Sequence, residues 1–300
     1  MFTHLLALNP GRQMIVRIDI AGGNVDEFVT GVTAFPDGIV VDARTGLVYW
    51  TNMGAPRPAG DRPPRSEADL NFSVRNGSLE RVRLDGTGRE VVVAEGGFVT
   101  GKQLAGAWAR NRLYWSDREG AAVRSLLLDT FEVRDELVVA HTEAERLSEV
   151  NQCVGVAVDE RNGHLYWTQK GPSDGGQGRI LRSPLDVPAG RYHDVEVLWS
   201  GLPEPIDLEL DLDAGLLYWT DRGAPPRGNT LNRAEIGDPG GAVDIVADGF
   251  HEAIGLALDP AAGVVYVSDL SGEIRAVDIA GGAERTVARV PGGVTGIAGL

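Results

Sequence analysis

Leu217-Tyr218-Trp219-Thr220-Asp221 is one of five near-copies of a single phrase. The others are Val48-Tyr49-Trp50-Thr51-Asn52, Leu113-Tyr114-Trp115-Ser116-Asp117, Leu165-Tyr166-Trp167-Thr168-Gln169 and Val265-Tyr266-Val267-Ser268-Asp269. The tyrosines recur at spacings of 65, 52, 52 and 48 residues. Five of the six tyrosines in the chain and four of its six tryptophans sit in these phrases. A period near 50 residues is a sign of repeat architecture.

Around each phrase the grammar repeats. An apolar run ends in an aspartate seven residues before the tyrosine: Asp42, Asp159, Asp211 and Asp259. A glycine turn follows, as in Arg44-Thr45-Gly46, and then the aromatic strand. A third strand ends in a turn such as Leu84-Asp85-Gly86-Thr87-Gly88, and a fourth runs Val91 to Ala94 or Val243 to Ala247. Four short strands joined by hairpin turns read as one propeller blade. The 40 glycines, against roughly 20 from average usage, fit many short strands and tight turns.

Six blades fill 300 residues, so the expected fold is all-β, a six-bladed β-propeller of four-stranded antiparallel blades spanning 1–300 as one domain. Gly293 to Leu300 resembles an innermost strand, and His4 to Asn9 with Gln13 to Gly22 resembles a second and a third. Pairing the two ends in one blade closes the ring and removes an open edge.

The phrases resemble the YWTD-repeat propeller family, known from lipoprotein-receptor ectodomains. Tyr166 to Arg179, Gly201 to Leu212 and Tyr218 to Arg233 carry a closer likeness to intracellular YWTD proteins of fungi and bacteria. Such proteins are often labelled hydroxyacyl-CoA dehydrogenases. That label implies a dinucleotide fold, yet Gly176-Gln177-Gly178 lacks the third glycine and the helix of a strand-GxGxxG-helix unit. An NAD-dependent dehydrogenase is therefore not expected. Some fungal propellers that look like this one act as cofactor-free cyclases, the hetero-Diels–Alderases of natural-product pathways, and the resemblance implies chemistry of that kind.

A net charge of −15 disfavours nucleic acid and anionic membranes. The single cysteine, Cys153, excludes an internal disulfide, and the N-terminus has neither a basic segment nor an apolar run of signal length. The expected location is cytoplasmic. Cys153 lies in an apolar run and reads as a buried, inert thiol.

Let strands A to D run from the axis outward. The B–C and D–A loops then share one face and are the longer, more irregular set, so the pocket is expected there. The blade-one B–C loop, about 53–77, is a candidate lid over its mouth or else a surface insertion. In the inner strands, Gly38, Gly155, Gly255 and Gly296 share a position that Gln103 and Asp207 occupy in blades two and four. Two residues on, Val40, Ala105, Ala157 and Ala257 correspond to Glu209. Carboxyls at i, i+2 on one strand share a side and raise each other's pKa, so one could act as general acid. Alternatively both accept bonds from backbone amides or an arginine of the next blade.

Asp207, Glu209, His251 and Lys102 are the catalytic candidates: His251 as general base, Lys102 as neutraliser of the acids. Gln103, Asn151, Gln152, Glu204, Glu252 and Thr295 are the substrate-binding candidates, converging from separate blades. Asp117, Asp221 and Asp269 recur at one position and are expected to be structural.

The expected function is a small-molecule enzyme of cyclase, isomerase or lyase type, with no cofactor. Two alternatives stand. Lactonase-type propellers hold a divalent cation such as calcium at the axis, and Glu204, Asp207 and Asn151 offer hard oxygen donors, though blade one has only Asp37 where that family has a glutamate. A non-enzymatic binding scaffold is the other. No metal site is assigned, since no zinc spacing, GxSxG elbow or kinase motif is present.

Overall fold

A computed structural model describes residues 1–58, 70–173, 175–185 and 194–300. It forms six four-stranded antiparallel sheets. From strand A outward, blade one is Pro36–Asp42, Leu47–Asn52, Gly77–Arg83 and Glu90–Phe98. Blade two is Gly101–Ala107, Arg112–Asp117, Ala122–Leu127 and Val133–Val138. Blade three is Cys153–Asp159, His164–Gln169, Gly178–Pro184 and Glu196–Leu202. Blade four is Pro205–Asp211, Leu216–Asp221, Thr230–Glu235 and Asp244–Ala247. Blade five is Ala253–Asp259, Val264–Asp269, Glu273–Asp278 and Glu284–Arg289. Blade six joins Ile297–Gly299 to His4–Asn9, Met14–Asp19 and Val25–Thr30, so the ring closes by pairing the two ends of the sequence.

The repeated phrase is strand B, and its alternation explains the ring. Successive side chains on a strand point to opposite faces. Both faces of a blade are covered by neighbours, so the strand is buried throughout. Each tyrosine packs toward the next blade and each tryptophan toward the previous one. Tyr49 of blade one thus shares a cluster with Trp115 of blade two, Tyr114 with Trp167, and Tyr166 with Trp219. Tyr218 meets Val267, the one copy without tryptophan. In blade six Leu6 and Ala7 take the two positions, one in the cluster with blade one and the other in the cluster with blade five. That copy keeps the burial and loses the aromatic signature.

The hydroxyl of the phrase stitches adjacent blades. Thr51, Thr168 and Thr220 each accept a hydrogen bond from the inner strand of their own blade, at Gly38, Gly155 and Asp207. Each donates in turn to a carbonyl of the next blade, at Lys102, Ile206 and Ile254. Blade six has Leu8 instead, and there Thr295 donates to the Pro36 carbonyl. The terminal aspartates are structural. Asp117 takes the amides of Val99 and Thr100, Asp221 that of Glu204 and Asp269 that of His251, each fixing the incoming D–A loop.

Close approach of neighbouring inner strands accounts for their glycines. A Cβ on Gly255 would collide with the Thr295 carbonyl oxygen, and one on Gly38 with the Lys102 carbonyl. The blade-one insertion starts and ends as a two-stranded ribbon, Arg57–Pro58 with Leu70–Asn71. Most of the candidate lid, 59–69, lies outside the described residues.

Candidate functional site

Every complete inner strand carries an irregularity in register just after its first residue, as between Pro36 and Ile39 or Pro205 and Leu208. This sorts the axis into levels. At the D–A end stand Asp37, Lys102, Val154, Ile206, Ile254 and Thr295, one per blade. Val154, Ile206 and Ile254 cluster there with Leu270 packed against them. Lys102 Nζ binds Asp37 Oδ2 at 2.5 Å, with both side chains buried. These side chains plug the axis.

Below the plug the small residues leave it hollow. A cavity of about 730 Å³ is lined by all six inner strands, including Val40, Ala105, Ala157, Ala257 and Ala298. Its lining extends to Ala43, Leu84 and Leu212 in the A–B and C–D turns, and to Phe2 and Leu300. The mouth therefore lies on the A–B/C–D face. The expected placement on the B–C/D–A face is corrected: bulky side chains occupy the axis at that end, and glycine and alanine empty it at the other.

The cavity wall is mostly apolar, with Gln103, Asp207 and Glu209 as its polar groups. Asp207 Oδ1 accepts the N–H of Leu208 at 2.9 Å and Oδ2 that of Leu256, in blade five, at 3.1 Å. Glu209 Oε2 accepts the N–H of Leu258 at 3.1 Å. The alternative of backbone pairing with the next blade thus holds for both. Burial raises the Asp207 pKa well above the carboxylate range, and repulsion from Glu209 and Asp37 adds to it against the pull of the two amides. Burial likewise lifts Glu209 to about 7, against the Leu258 amide. The accessible part of Glu209 faces the cavity, so the loss of bulk water governs it. A carboxyl whose pKa is lifted by an apolar hollow can serve there as hydrogen-bond donor and acid.

Gln103 Nε2 donates to Asp37 Oδ1 at 3.3 Å, joining the cavity to the ion pair in the plug. Lys102 belongs to that plug. It neutralises Asp37, not Asp207 or Glu209, and does not line the axial cavity. His251 is corrected too. Its side chain is 75% exposed with Nδ1 3.9 Å from Asp269, on the D–A loop and outside the axial cavity. Thr295 is buried and engaged with Pro36, a ring-closing role. Asn151 sits in a 3₁₀ turn, Glu149–Asn151, and donates to the Glu145 carbonyl.

Glu204, Gln152 and Glu252 do come together, but on the other face. They line a separate cleft of about 670 Å³ with Arg118, Glu119, Glu149, Lys170 and Arg222. One composite pocket was expected; the plug divides it in two. The three candidate oxygen donors of a lactonase-type metal site are split likewise: Glu204 in the upper cleft, Asp207 in the lower cavity and Asn151 in neither. Among the described residues no three His, Cys, Asp or Glu gather as a metal-holding group. Cys153 is fully buried, and burial, with repulsion from Asp117, pushes its thiol pKa far up. Sequence reasoning missed Lys170 and Arg222, which follow the repeated phrases directly, and Asp37 as a partner in the plug. All three are polar at positions where the level along the axis, not the residue type, decides the role.

No profile of a known protein family matches the chain. A Pyricularia oryzae protein named Low-density lipoprotein receptor-related protein 1 is 44% identical, across 96% of this chain and 92% of its own length. A Cochliobolus heterostrophus protein named 3-hydroxyacyl-CoA dehydrogenase-like protein LAM1 is 35% identical over 80% of this chain. The match spans half of that protein's length. Among solved structures, a chain of the nidogen/laminin complex aligns with a TM-score of 0.73 at 18% identity, covering 98% of this chain and 97% of its own. TolB from Acinetobacter baumannii aligns at 0.67 and 12% identity, covering 98% of this chain and 65% of that one. These two share the fold. Six blades stitched by the repeated phrase, together with near-full-length identity to the Pyricularia protein, mean that the chain belongs to the YWTD-repeat, lipoprotein-receptor-type family of six-bladed β-propellers.

Proposed function

We propose that the axial cavity binds a largely apolar small molecule and promotes its cyclisation, isomerisation or elimination by acid catalysis, without a redox cofactor. The observation that carries this reading is the pair Asp207 and Glu209, raised in pKa and set in an apolar hollow where the other blades, save for Gln103 in blade two, have glycine, valine or alanine. A protonated carboxyl in such a hollow donates to a carbonyl or leaving oxygen of the substrate and stabilises charge as it develops there. The hollow holds a flexible molecule folded, which lowers the entropic part of the barrier. Gln103 of blade two orients a second polar group. A cyclase of the hetero-Diels–Alder type needs those same elements: a bound conformer and a hydrogen bond to a conjugated carbonyl. The dehydrogenase-like name of one relative is not carried over, because the dinucleotide fingerprint is missing from this sequence.

The test is to incubate the protein with α,β-unsaturated carbonyl compounds and electron-rich alkenes and follow products by mass spectrometry. Products isomeric with a substrate, equal in mass to two combined, or lighter by an eliminated small molecule such as water are expected above the uncatalysed rate without added nicotinamide. They should vanish in Asp207→Asn with Glu209→Gln. Turnover that requires NAD, or that survives both substitutions, overturns the proposal.

A further inference from the structure

The upper cleft has its own chemistry, separated from the axial cavity by the plug. Arg118, Lys170 and Arg222 bring three cations to it, with side chains 6%, 7% and 13% exposed. At similar depth stand two carboxylates, Glu119 at 12% and Glu204 at 4%. Glu149 and Glu252, at 50% and 58%, form an acidic rim. Among the described lining residues the floor thus carries one more positive charge than negative, and the rim two negative charges. Lys170 shows the surplus. Burial lowers its pKa, Glu204 resists this, and the charges of Arg222 and Arg118 lower it further.

Two polar groups in the cleft have unused capacity. An ammonium has three donors. Lys170 Nζ places two of them on the Gly171 carbonyl at 3.0 Å and Glu204 Oε1 at 3.2 Å. Glu149 at 4.0 Å is beyond hydrogen-bond reach, which leaves the third donor for something else. Glu204 Oε1 is already shared with Arg222 Nε at 2.9 Å. Conversely, Glu119 Oε1 takes Arg118 Nε at 2.7 Å, while its buried Oε2 has no hydrogen-bond partner. A buried donor and a buried acceptor left open in one cleft each cost free energy until something fills them.

We propose that this cleft is a second ligand site, for a small zwitterion of the amino-acid type. Its carboxylate sits against Lys170 and Arg222, and its ammonium donates to Glu119 within reach of the acidic rim. One carboxylate fills the open Lys170 donor; a phosphate dianion would face the four carboxylates of the cleft. Leu70, Ala224 and Pro225 give the wall an apolar stretch for a side chain.

Saturation-transfer NMR of the full chain tests the site, with L-leucine and L-phenylalanine as probes. Their deaminated and decarboxylated analogues, 4-methylpentanoate, 3-phenylpropionate, isoamylamine and phenethylamine, are the controls. At least one amino acid should bind, at least tenfold tighter than either of its analogues. Lys170→Met should abolish that binding and Glu119→Gln should weaken it at least fivefold. Asp207→Asn should leave it unchanged, which separates this site from the axial cavity. Glu119→Gln alters one carboxylate oxygen and carries the test alone should Lys170→Met fail to fold by circular dichroism. Absence of amino-acid binding, equal binding of the analogues, or unchanged binding in Glu119→Gln overturns the proposal.

Discussion

Asp207 of blade four accepts the backbone N–H of Leu256 in blade five at 3.1 Å, so a side chain that faces the cavity also spans a blade boundary. The neighbouring Glu209 repeats the arrangement one step along the strand, with Leu258. Each carboxyl is therefore held by one oxygen in a fixed orientation. Asp207 uses its second oxygen on Leu208. Glu209 Oε1 has no such bond among those described and is the oxygen better placed to carry a proton toward a ligand.

Asp207→Asn tests how much of this is chemistry. The amide keeps one acceptor and turns a donor toward the other N–H, so one hydrogen bond is lost. The expected stability cost is about 1–3 kcal/mol. Catalysis or ligand binding in the axial cavity should be lost entirely. Thermal unfolding combined with a binding assay decides the matter: a large drop in melting temperature with binding intact would make Asp207 a structural strut alone.

Glu209 makes stability depend on pH. In the unfolded chain it ionises near its ordinary 4.5, and in the folded chain near about 7. Between those values the folded state keeps a proton that the unfolded state has released, so stability falls as pH rises. The contribution is complete below about 4.5 and gone once pH has passed about 7. Glu209→Gln lacks this ionisation. Its melting temperature should gain on that of the wild-type protein from about pH 5 to about pH 8. A constant gap between the two would place the Glu209 pKa back in the ordinary range. Taking the difference between the two proteins also cancels Asp221, which burial raises to about 7 as well.

Thr220→Val removes an oxygen that accepts from Asp207 N–H at 3.1 Å and donates to the Ile254 carbonyl at 2.7 Å. Two buried backbone groups lose their partner, at a cost of about 1–3 kcal/mol. Thr220→Ser keeps the hydroxyl and should stay close to wild type, since Ser116 and Ser268 serve blades two and five. Chemical denaturation of the three proteins measures this. Equal stability of all three would show the hydroxyl bridge to be dispensable.

Cys153 offers a check on ring integrity. With its side chain fully buried and its pKa raised, it should not react with a thiol-specific dye in the native protein. It should react fully in denaturant, with the same midpoint as the loss of tryptophan signal. Rapid labelling under native conditions would reveal local opening of blade three.

The ring was legible because its signature is chemical. Tyrosine and tryptophan pack between blades, a threonine or serine hydroxyl satisfies backbone groups in all five copies and aspartate does so in three, so the same physical demand writes closely similar letters five times. The sixth copy was legible only through position, since Leu6 and Ala7 fill the aromatic sites without resembling them. Asp207, Glu209 and Gln103 could be picked out because they replace small residues in an aligned column. What the sequence did not reveal was height along the axis. Lys102 and Gln103 are adjacent in sequence, yet the register irregularity puts one in the plug and the other in the cavity wall. Glu204 and Asp207, three residues apart, face separate pockets for the same reason.

Closure of blade six has a consequence for the life of the chain. Phe2 and the stretch from Ile297 to Leu300 supply one wall of the axial hollow. A chain in which the strand Ile297–Gly299 has not docked would hold five complete blades around a gap, with Asp207 and Glu209 open to water. The apolar surroundings that raise both carboxyl pKa values would then be completed only when that strand docks.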